Sequence, residues 1–321
     1  MNKNVKKLLV RLKNNKSFSD LPEVFRRMGR YLKQVKNHPE LKNYLLEFLT
    51  TNEITPNHSH VLILLSDWHI GNKGWGNMPN FYKTVQKLED NLIRVLRKYQ
   101  MVFPFEAVSV IILGDMLEYV MRSEHILGIW NDIDITEKVN LTVEYIDDIL
   151  NSVYRVTSIR PDIYYLYGNH GRVTEKSLMI FQDTIEHLVA LKLSEKWIVK
   201  TPNSEEYIPL KIYGRTIILE HGHNKYGTSL GRPTINSIKR RFLYFDDVEE
   251  NVDAIIIGHY HAKMILDLNE RVFVVAPSLI PKTEYSVRKG FKLLPKQLVI
   301  IANRNENGRL KLSPCIDIWG I

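Results

Sequence analysis

The sequence predicts an α/β protein preceded by a basic helical unit. From residue 61 onward, short apolar runs bounded by turn residues alternate with longer segments of helical periodicity, which is typical of buried strands layered against helices. Residues 1–60 show helical spacing throughout and carry twelve Lys and Arg against five acidic residues, which is +7 of the net charge of +8. The chain therefore divides into two predicted units, residues 1–57 and residues 58–321.

The N-terminal unit is predicted to contain three short helices. An apolar face recurs at helical spacing in residues 5–12, Pro22 suits the first turn of a second helix, and a third begins after Pro39. We consider this unit a candidate DNA-binding module, with a helical cap packed on the larger unit as the alternative, because a charge excess alone does not select nucleic acid. The expected phosphate contacts follow closely along the second helix: Arg26, Arg27, Arg30, Lys33 and Lys36.

The larger unit contains six apolar runs that predict strands and three amphipathic segments that predict helices. The strands are expected at 61–65, 107–113, 163–167, 216–219, 254–257 and 272–276. The helices are expected at 81–100, 137–156 and 178–193. Their alternation predicts a layered α/β domain.

Composition excludes several protein classes. Of the 321 residues, 44% are hydrophobic and 25% charged, as in an ordinary globular protein, and no apolar run approaches the roughly 18 residues of a membrane span. The N-terminus has no secretion signal, so we expect a cytoplasmic protein without membrane contact. Cys315 is the only cysteine, which excludes intramolecular disulfides, thiolate zinc cages and iron–sulfur clusters. A homodimer is compatible with the sequence.

Polar side chains follow five of the predicted strands at the point where each strand ends. The segments are Asp67-Trp68-His69, Gly114-Asp115-Met116-Leu117-Glu118, Gly168-Asn169-His170, His221-Gly222-His223 and Gly258-His259-Tyr260-His261. The carboxyl ends of strands are where an α/β sheet builds its site. One such residue alone is more often a helix cap or a core histidine, but five together predict a shared site.

The donor types in these segments indicate a metal site. Carboxylate oxygens mixed with imidazole nitrogens, without thiolates, are the ligand set of divalent manganese, iron or zinc. Two cations close together need an anionic bridge to offset their repulsion, and together they acidify a water molecule. Asp115 is the predicted bridge.

The ordered series of the five segments resembles the calcineurin-like metallophosphoesterases over about residues 61–280. The resemblance implies a two-sheet β-sandwich flanked by helices, with two divalent metals bridged by an aspartate and a water or hydroxide. The chain is also similar to SbcD-type DNA nucleases and to phage-type members of this family.

The same resemblance implies a role for each matching residue. Asp67, His69 and His261 would bind the first metal. Asn169, His221 and His259 would bind the second, with Asp115 between the two and His170 as the general acid beside the leaving group. Mn²⁺ is the expected ion, and Fe²⁺, Zn²⁺ and Mg²⁺ are alternatives.

One position departs from the family pattern. An acidic residue usually follows the histidine of the third segment, whereas here Gly171 and Arg172 follow it. Either His170 takes a carboxylate partner from elsewhere in the chain, or its pKa is not raised in the usual way. The planar guanidinium group of Arg172 can donate hydrogen bonds to a phosphate oxygen. The alternative is that Arg172 is an exposed residue at the start of a helix with no functional role.

Three further residues next to the fourth segment are expected to contact substrate, namely His223, Lys225 and Arg232. Aromatic residues beside the metal segments either stack bases or pack in the core. They are Trp68, Trp75, Tyr119 and Tyr260.

The leading hypothesis for function is a two-metal-dependent phosphodiesterase that hydrolyses nucleic acid, most naturally DNA. Attack by a metal-bridging hydroxide, with His170 as general acid, is the mechanism that the resemblance implies. The second hypothesis is a phosphomonoesterase or a small cyclic-nucleotide phosphodiesterase, since one fold hosts many activities. The third is a non-catalytic nucleic-acid-binding module.

Overall fold

The structure is a computed structural model that describes residues 59–75, 78–101, 103–119, 133–173, 183–202, 206–223, 225–226, 233–281, 294–304 and 308–320. The predicted unit of residues 1–57 lies outside the described residues, as does Arg232. The five cations proposed to contact phosphate fall in that unit, so their role stays a prediction.

Six strands form the first sheet, in the order β11-β10-β1-β2-β3-β4. Parallel pairing joins β1 to β2, β2 to β3 and β3 to β4, whereas β10 runs antiparallel to both β1 and β11. The strand bounds are β1 Ser59–Leu65, β2 Phe105–Ile112, β3 Asp162–Tyr165, β4 Val199–Lys200, β10 Lys296–Arg304 and β11 Leu310–Trp319. The parallel strands end at one edge of this sheet.

Five strands form the second sheet, in the order β5-β6-β7-β9-β8. Here β6, β7 and β9 are parallel, and the outer strands β5 and β8 are antiparallel to their neighbours. The strand bounds are β5 Tyr207–Ile212, β6 Arg215–Glu220, β7 Val252–Ile257, β8 Met264–Asp267 and β9 Val272–Val275.

Four helices complete the described residues: α1 Met78–Gln100, α2 Ile135–Thr157, α3 Ile185–Ser194 and α4 Ile235–Val248. A short 3₁₀ turn, Lys73–Trp75, precedes α1. Asp134 caps α2 by accepting from the backbone N–H of Glu137 at 2.8 Å, which satisfies one of the unpaired donors at the helix start. Among the residues described, no helix combines the length and the apolar character needed to cross a membrane.

The alternation of side chains along β1 shows how the layers are built. Val61, Ile63 and Leu65 pack with residues of α1, α2 and α3 on one face of the first sheet. Leu62 and Leu64 face the other way, into a layer shared with the second sheet. Both faces of β1 are therefore buried, which explains its continuous apolar run.

The second sheet repeats this pattern. Ile217 of β6 and Ile256 of β7 lie in the layer between the sheets, while Ile218 and Ile255 pack against α4. The order of layers is helices, sheet, sheet, helix. The predicted α/β class and the two-sheet sandwich flanked by helices are confirmed.

All six predicted strands and α2 lie where the sequence analysis expected them, within two residues at each end, and α1 begins three residues earlier than expected. The helix predicted at 178–193 begins later, at Ile185. Thr184 is extended because it pairs with Arg172 in an isolated antiparallel bridge. Residues 178–182 lie outside the described ranges.

Candidate metal centre

The loops that follow five parallel strands bring the predicted ligands together. Asp67 and His69 follow β1, Asp115 follows β2, and Asn169 follows β3 in the first sheet. His221 follows β6, and both His259 and His261 follow β7, in the second sheet. Both sheets therefore contribute side chains to one site.

The first cluster consists of Asp67, His69 and His261, whose candidate ligand atoms all lie within 4.8 Å of one another. Oδ1 of Asp67 is 3.2 Å from Nε2 of His261 and 3.8 Å from Nε2 of His69. The two Nε2 atoms are 3.2 Å apart. Two imidazole lone pairs and a carboxylate oxygen pointing at one another require a proton or a cation between them.

The second cluster consists of Asp115, His221 and His259, again with ligand atoms within 4.8 Å. Nε2 of His221 lies 3.0 Å from Oδ2 of Asp115 and 3.2 Å from Oδ1 of Asn169. Nδ1 of His221 donates to the carbonyl oxygen of Leu113 at 2.6 Å. This bond fixes the tautomer in which Nε2 presents its lone pair to the cluster, as metal-binding histidines require.

Each of the two aspartates has one oxygen tied to the protein and one that is not. Oδ2 of Asp67 accepts from the backbone N–H of His259 at 3.0 Å, and Oδ1 of Asp115 accepts from that of His170 at 2.8 Å. Oδ1 of Asp67 and Oδ2 of Asp115 are buried and face imidazole nitrogens instead, Nε2 of His261 at 3.2 Å and Nε2 of His221 at 3.0 Å. A buried carboxylate oxygen beside imidazole nitrogens needs a proton on the ring or a metal cation between them, so these residues fit a divalent metal.

Without a metal, burial and the neighbouring charged side chains shift the pKa values of three histidines in these clusters. Burial alone would lower the pKa of His221, but the charge of Asp115 outweighs it and raises that pKa to about 9. His69 behaves likewise, because Asp67 and Glu118 outweigh its burial and raise its pKa well above the ordinary value. Burial lowers the pKa of His259 to about 3, helped by the charge of His221.

Backbone strain marks the same residues. Asp67, His69, Asp115, His259 and His261 all have positive φ, between 48° and 68°, a region that residues other than glycine rarely adopt. Such strain persists where the surrounding structure fixes it and is concentrated at functional sites. Of the ten non-glycine residues with positive φ in the described part of the chain, half are predicted metal ligands.

Glu118 supplies the carboxylate partner that Gly171 does not provide. Its Oε1 accepts from Nδ1 of His170 at 2.7 Å, and its Oε2 accepts from Nδ1 of His69 at 2.9 Å. Lys138, a buried lysine of α2, donates to the carbonyl oxygen of Glu118 at 3.2 Å. One carboxylate thus orients a predicted ligand and the predicted general acid together. Glu118 stands in the second segment of the sequence, but its role follows only from the fold.

His223 and Lys225 lie beside the second cluster and line a shallow surface recess next to His221. Nδ1 of His223 is buried and has no hydrogen-bond partner among the described residues. Burial lowers the pKa of His223 to about 3, with the charges of His221 and His259 adding to it. Nζ of Lys225 is held by Glu206 at 2.7 Å and by Glu220 at 3.0 Å. Substrate contact by Lys225 would therefore compete with two ion pairs.

Arg172 is half-buried, and its backbone pairs with Thr184; its expected role at a phosphate oxygen stays a prediction. Trp68 and Trp75 are buried in the core against Phe81, which excludes them from base stacking. Tyr119 and Tyr260 are half-buried.

Comparison with known proteins gives only distant similarities. No protein-family model and no curated protein match the chain. Among solved structures, a single mutant of Vps29 from Entamoeba histolytica matches 80% of this chain and 98% of its own, with 14% identity and a TM-score of 0.36. A structure described as a novel archaeal phosphodiesterase covers 80% and 99%, with 11% identity and a TM-score of 0.38.

A putative 5'-nucleotidase from Staphylococcus aureus covers 82% of this chain and 55% of its own, with 11% identity and a TM-score of 0.45. Identities and TM-scores this low carry no conclusion about activity. What the site can do follows from its own side chains.

Proposed function

We propose that this chain is a metal-dependent phosphoesterase that binds two divalent cations and hydrolyses phosphodiester bonds of nucleic acid. The observation that carries this proposal is the pair of buried carboxylate oxygens, Oδ1 of Asp67 and Oδ2 of Asp115, that face imidazole nitrogens at 3.2 Å and 3.0 Å. Each oxygen lies in a cluster with two histidines. Carboxylate and imidazole donors at this density suit a divalent cation.

The proposed ligands are divided between the two clusters. Asp67, His69 and His261 would hold one cation. The second would be held by Asn169, His221 and His259, with Asp115 shared between the two. When bound, the two cations would supply Lewis-acid activation of water and stabilisation of charge on the phosphate. Mn²⁺ is the proposed ion, with Fe²⁺, Zn²⁺ and Mg²⁺ as the alternatives to be tested.

His170 is proposed to protonate the departing oxygen. Its Nδ1–H donates to Oε1 of Glu118, so the ring is fixed with Nε2 directed away from Glu118. Nε2 is then the ring atom that can hand over a proton. Glu118 also fixes the ring of His69, so the orientation of the proposed acid is coupled to that of a proposed ligand. Arg172 and His223 are proposed to contact the substrate.

A digestion panel tests the proposal. Metal-stripped protein is incubated with linear duplex, circular duplex and single-stranded DNA, and with RNA, with and without added Mn²⁺. We expect cleavage of at least one nucleic acid that depends on the cation. Comparison with Fe²⁺, Zn²⁺ and Mg²⁺ identifies the preferred ion. An absence of cleavage of every substrate at every ion would contradict the proposal.

The choice of nucleic acid rests on the charge of residues 1–60. A variant with glutamine at the five proposed phosphate contacts tests it: Arg26, Arg27, Arg30, Lys33 and Lys36. If all five contact phosphate, the slope of log affinity against log salt should become shallower by roughly 3.5 to 4.5, since each contact contributes about 0.7–0.9. Turnover of a small chromogenic ester should not change.

The matched control neutralises exposed cations of α1 instead, namely Lys83, Lys87, Arg94 and Arg97. This control should leave the salt slope close to that of the wild type. Equal slopes for all three proteins would refute the proposed contact with DNA. Binding is measured at several salt concentrations by fluorescence anisotropy.

The second candidate is a phosphomonoesterase or a small cyclic-nucleotide phosphodiesterase. The observation that favours it is that the two clusters of carboxylate and imidazole groups suit a small phosphoester as well as a polymer, since one fold hosts many activities. Saturation kinetics on a dinucleotide and on a long duplex distinguish the two. A kcat/KM that is higher on the small substrate would favour this candidate.

A further inference from the structure

Glu186 is a fully buried carboxylate in the first turn of α3, and none of the five strand-end segments contains it. Both of its oxygens accept hydrogen bonds from the backbone. Oε1 accepts from the N–H of Met116 at 2.7 Å, and Oε2 accepts from the N–H of Gly168 at 2.5 Å. A buried carboxylate is tolerated only when its oxygens are satisfied in this way.

The two donors belong to neighbouring loops of the candidate metal centre. Met116 directly follows Asp115, and Gly168 directly precedes Asn169. The loops are pressed together, because a side chain at Gly168 would collide with Oδ1 of Asp115. A single side chain from outside the centre therefore holds the backbone on both sides of this contact.

Gly171 leaves the space that Glu186 occupies. A Cβ atom at position 171 would lie 2.9 Å from Cγ and 3.4 Å from Cδ of Glu186, closer than ordinary packing allows. The start of α3 is fixed against the same loop, since the N–H of Ile185 donates to the carbonyl oxygen of Gly171 at 2.8 Å. The glycine and the glutamate are thus complementary in shape.

We propose that Glu186 is a positioning residue that holds the loops of Asp115 and Asn169 at the spacing that cation binding requires, and that Gly171 makes room for it. The inference rests on the proposed two-cation function. It assigns to Glu186 no contact with cation or substrate. Its effect passes through two backbone N–H groups.

A purely structural role for Glu186 predicts different effects of its substitution. In that case its loss would destabilise the fold as the loss of any buried residue of α3 does. Val189 is such a residue, fully buried on the same helix and packed in the core, and it hydrogen-bonds to neither loop through its side chain. Val189→Ala is therefore the matched control for destabilisation without repositioning.

The test measures Mn²⁺ binding by isothermal titration calorimetry on the metal-stripped full-length chain, with melting temperature recorded in parallel. Glu186→Gln keeps the shape of the side chain, but its amide nitrogen cannot accept from a backbone N–H. We expect it to weaken binding of one of two Mn²⁺ ions about 10- to 100-fold, as loss of a residue that supports ligands does. Val189→Ala should lower the melting temperature and leave affinity unchanged.

Two further variants keep the test decisive if the glutamine variant folds poorly. Glu186→Asp retains the charge but is one methylene too short to reach both donors, so it should also weaken binding. The double variant Glu186→Ala with Gly171→Asp moves a carboxylate to nearly the same place from the other side. Its Mn²⁺ affinity should exceed that of Glu186→Ala alone by about 10-fold, which a simple packing role does not predict.

Two results would overturn the inference. One is wild-type affinity for both ions in Glu186→Gln. The other is an equal loss of affinity in Glu186→Gln and Val189→Ala at equal loss of melting temperature. A wild-type chain that binds none of Mn²⁺, Fe²⁺, Zn²⁺ and Mg²⁺ would instead overturn the proposed two-cation function, and this inference with it.

Discussion

Asp115 is the residue at which a single atom change tests the metal centre most directly. Asp115→Asn keeps the size of the side chain and removes the charge that two cations would share. We expect loss of at least one cation and a fall in turnover on the order of 100-fold or more, because cation repulsion is no longer offset. Metal content is measured by plasma mass spectrometry, and turnover with bis-p-nitrophenyl phosphate.

The control for this prediction is His261→Asn, which removes a ligand proposed for one cation only. It should lower turnover less than Asp115→Asn does. Two ions per chain and near-wild-type turnover in Asp115→Asn would show that this residue is not the shared ligand.

His170 should affect turnover according to the leaving group. His170→Ala should slow hydrolysis of a dinucleotide by about 10²- to 10⁴-fold, because an alkoxide leaving group needs a proton. A p-nitrophenyl ester departs without that help and should lose much less. Metal content should stay at the wild-type value, since His170 is not among the proposed ligands. Equal losses on both substrates would point to a binding role instead.

The sequence was sufficient to group the seven proposed ligands because each stands next to a buried strand, and parallel strands end at one edge of a sheet. It was not sufficient for the carboxylates that orient them. Glu118 touches two histidines that lie 49 and 52 residues away, and Glu186 touches a backbone N–H 70 residues away. Such pairings depend on how loops pack, which local spacing does not encode.

At the scale of elements, β10 supports the loop that carries Asp67. The side chain of Gln297 on this strand is buried and accepts from the backbone N–H of Ser66 at 2.6 Å and from Nε1 of Trp68 at 3.1 Å. Its amide nitrogen donates to the carbonyl oxygen of Pro277 at 2.8 Å. One strand thus joins the segments after β1 and β9.

Gln297→Leu should therefore destabilise the protein. It would leave two buried donors and two buried acceptors unsatisfied, at about 1–3 kcal/mol each, so we expect a loss of about 3 kcal/mol or more in the free energy of unfolding. Urea denaturation measures this loss. Gln100→Leu is the control, because its amide makes a single long contact of 3.5 Å. Similar small effects for both variants would contradict the supporting role of β10.

Elements were predictable where both faces are buried and less so at sheet edges. β1, β2 and β7 are continuous apolar runs because layers cover them on both sides. The edge strand β8 alternates between half-buried and exposed positions over four residues, and β5 contains Pro209, which is common at sheet edges. β10 carries a similar apolar run at 298–302, which the sequence analysis did not predict as a strand.

For the molecule as a whole, the histidines predict how stability depends on pH without metal. His221 has a pKa of about 9 in the fold against 6.5 ordinarily, so its interaction with Asp115 stabilises the fold fully below pH 6.5. That contribution is lost as pH rises toward 9. His69, whose pKa is also raised, acts in the same direction. His259 has its pKa lowered to about 3. It therefore lowers the stability of the fold only below pH 6.5, where the unfolded chain takes up the proton.

The midpoint of urea unfolding in EDTA should therefore fall between pH 6.5 and pH 9. With saturating Mn²⁺ it should rise over the same range, because cation binding requires deprotonated imidazoles. His221→Asn should flatten the fall in EDTA. A midpoint in EDTA that is constant or rises from pH 6.5 to pH 9 would contradict the assignment of the raised pKa values.

Both sheets contribute side chains to the candidate metal centre, so the centre cannot form until the strands of both sheets have been synthesised. Asp67 and the backbone of His259 are hydrogen-bonded across 192 residues of sequence, and β6 and β7 are made long after β1. A growing chain that has not yet added β7 lacks three of the proposed ligand nitrogens or has them unplaced, so it cannot assemble the centre. The proposed hydrolytic activity would then appear only with the completed sandwich, and incomplete chains would not have it.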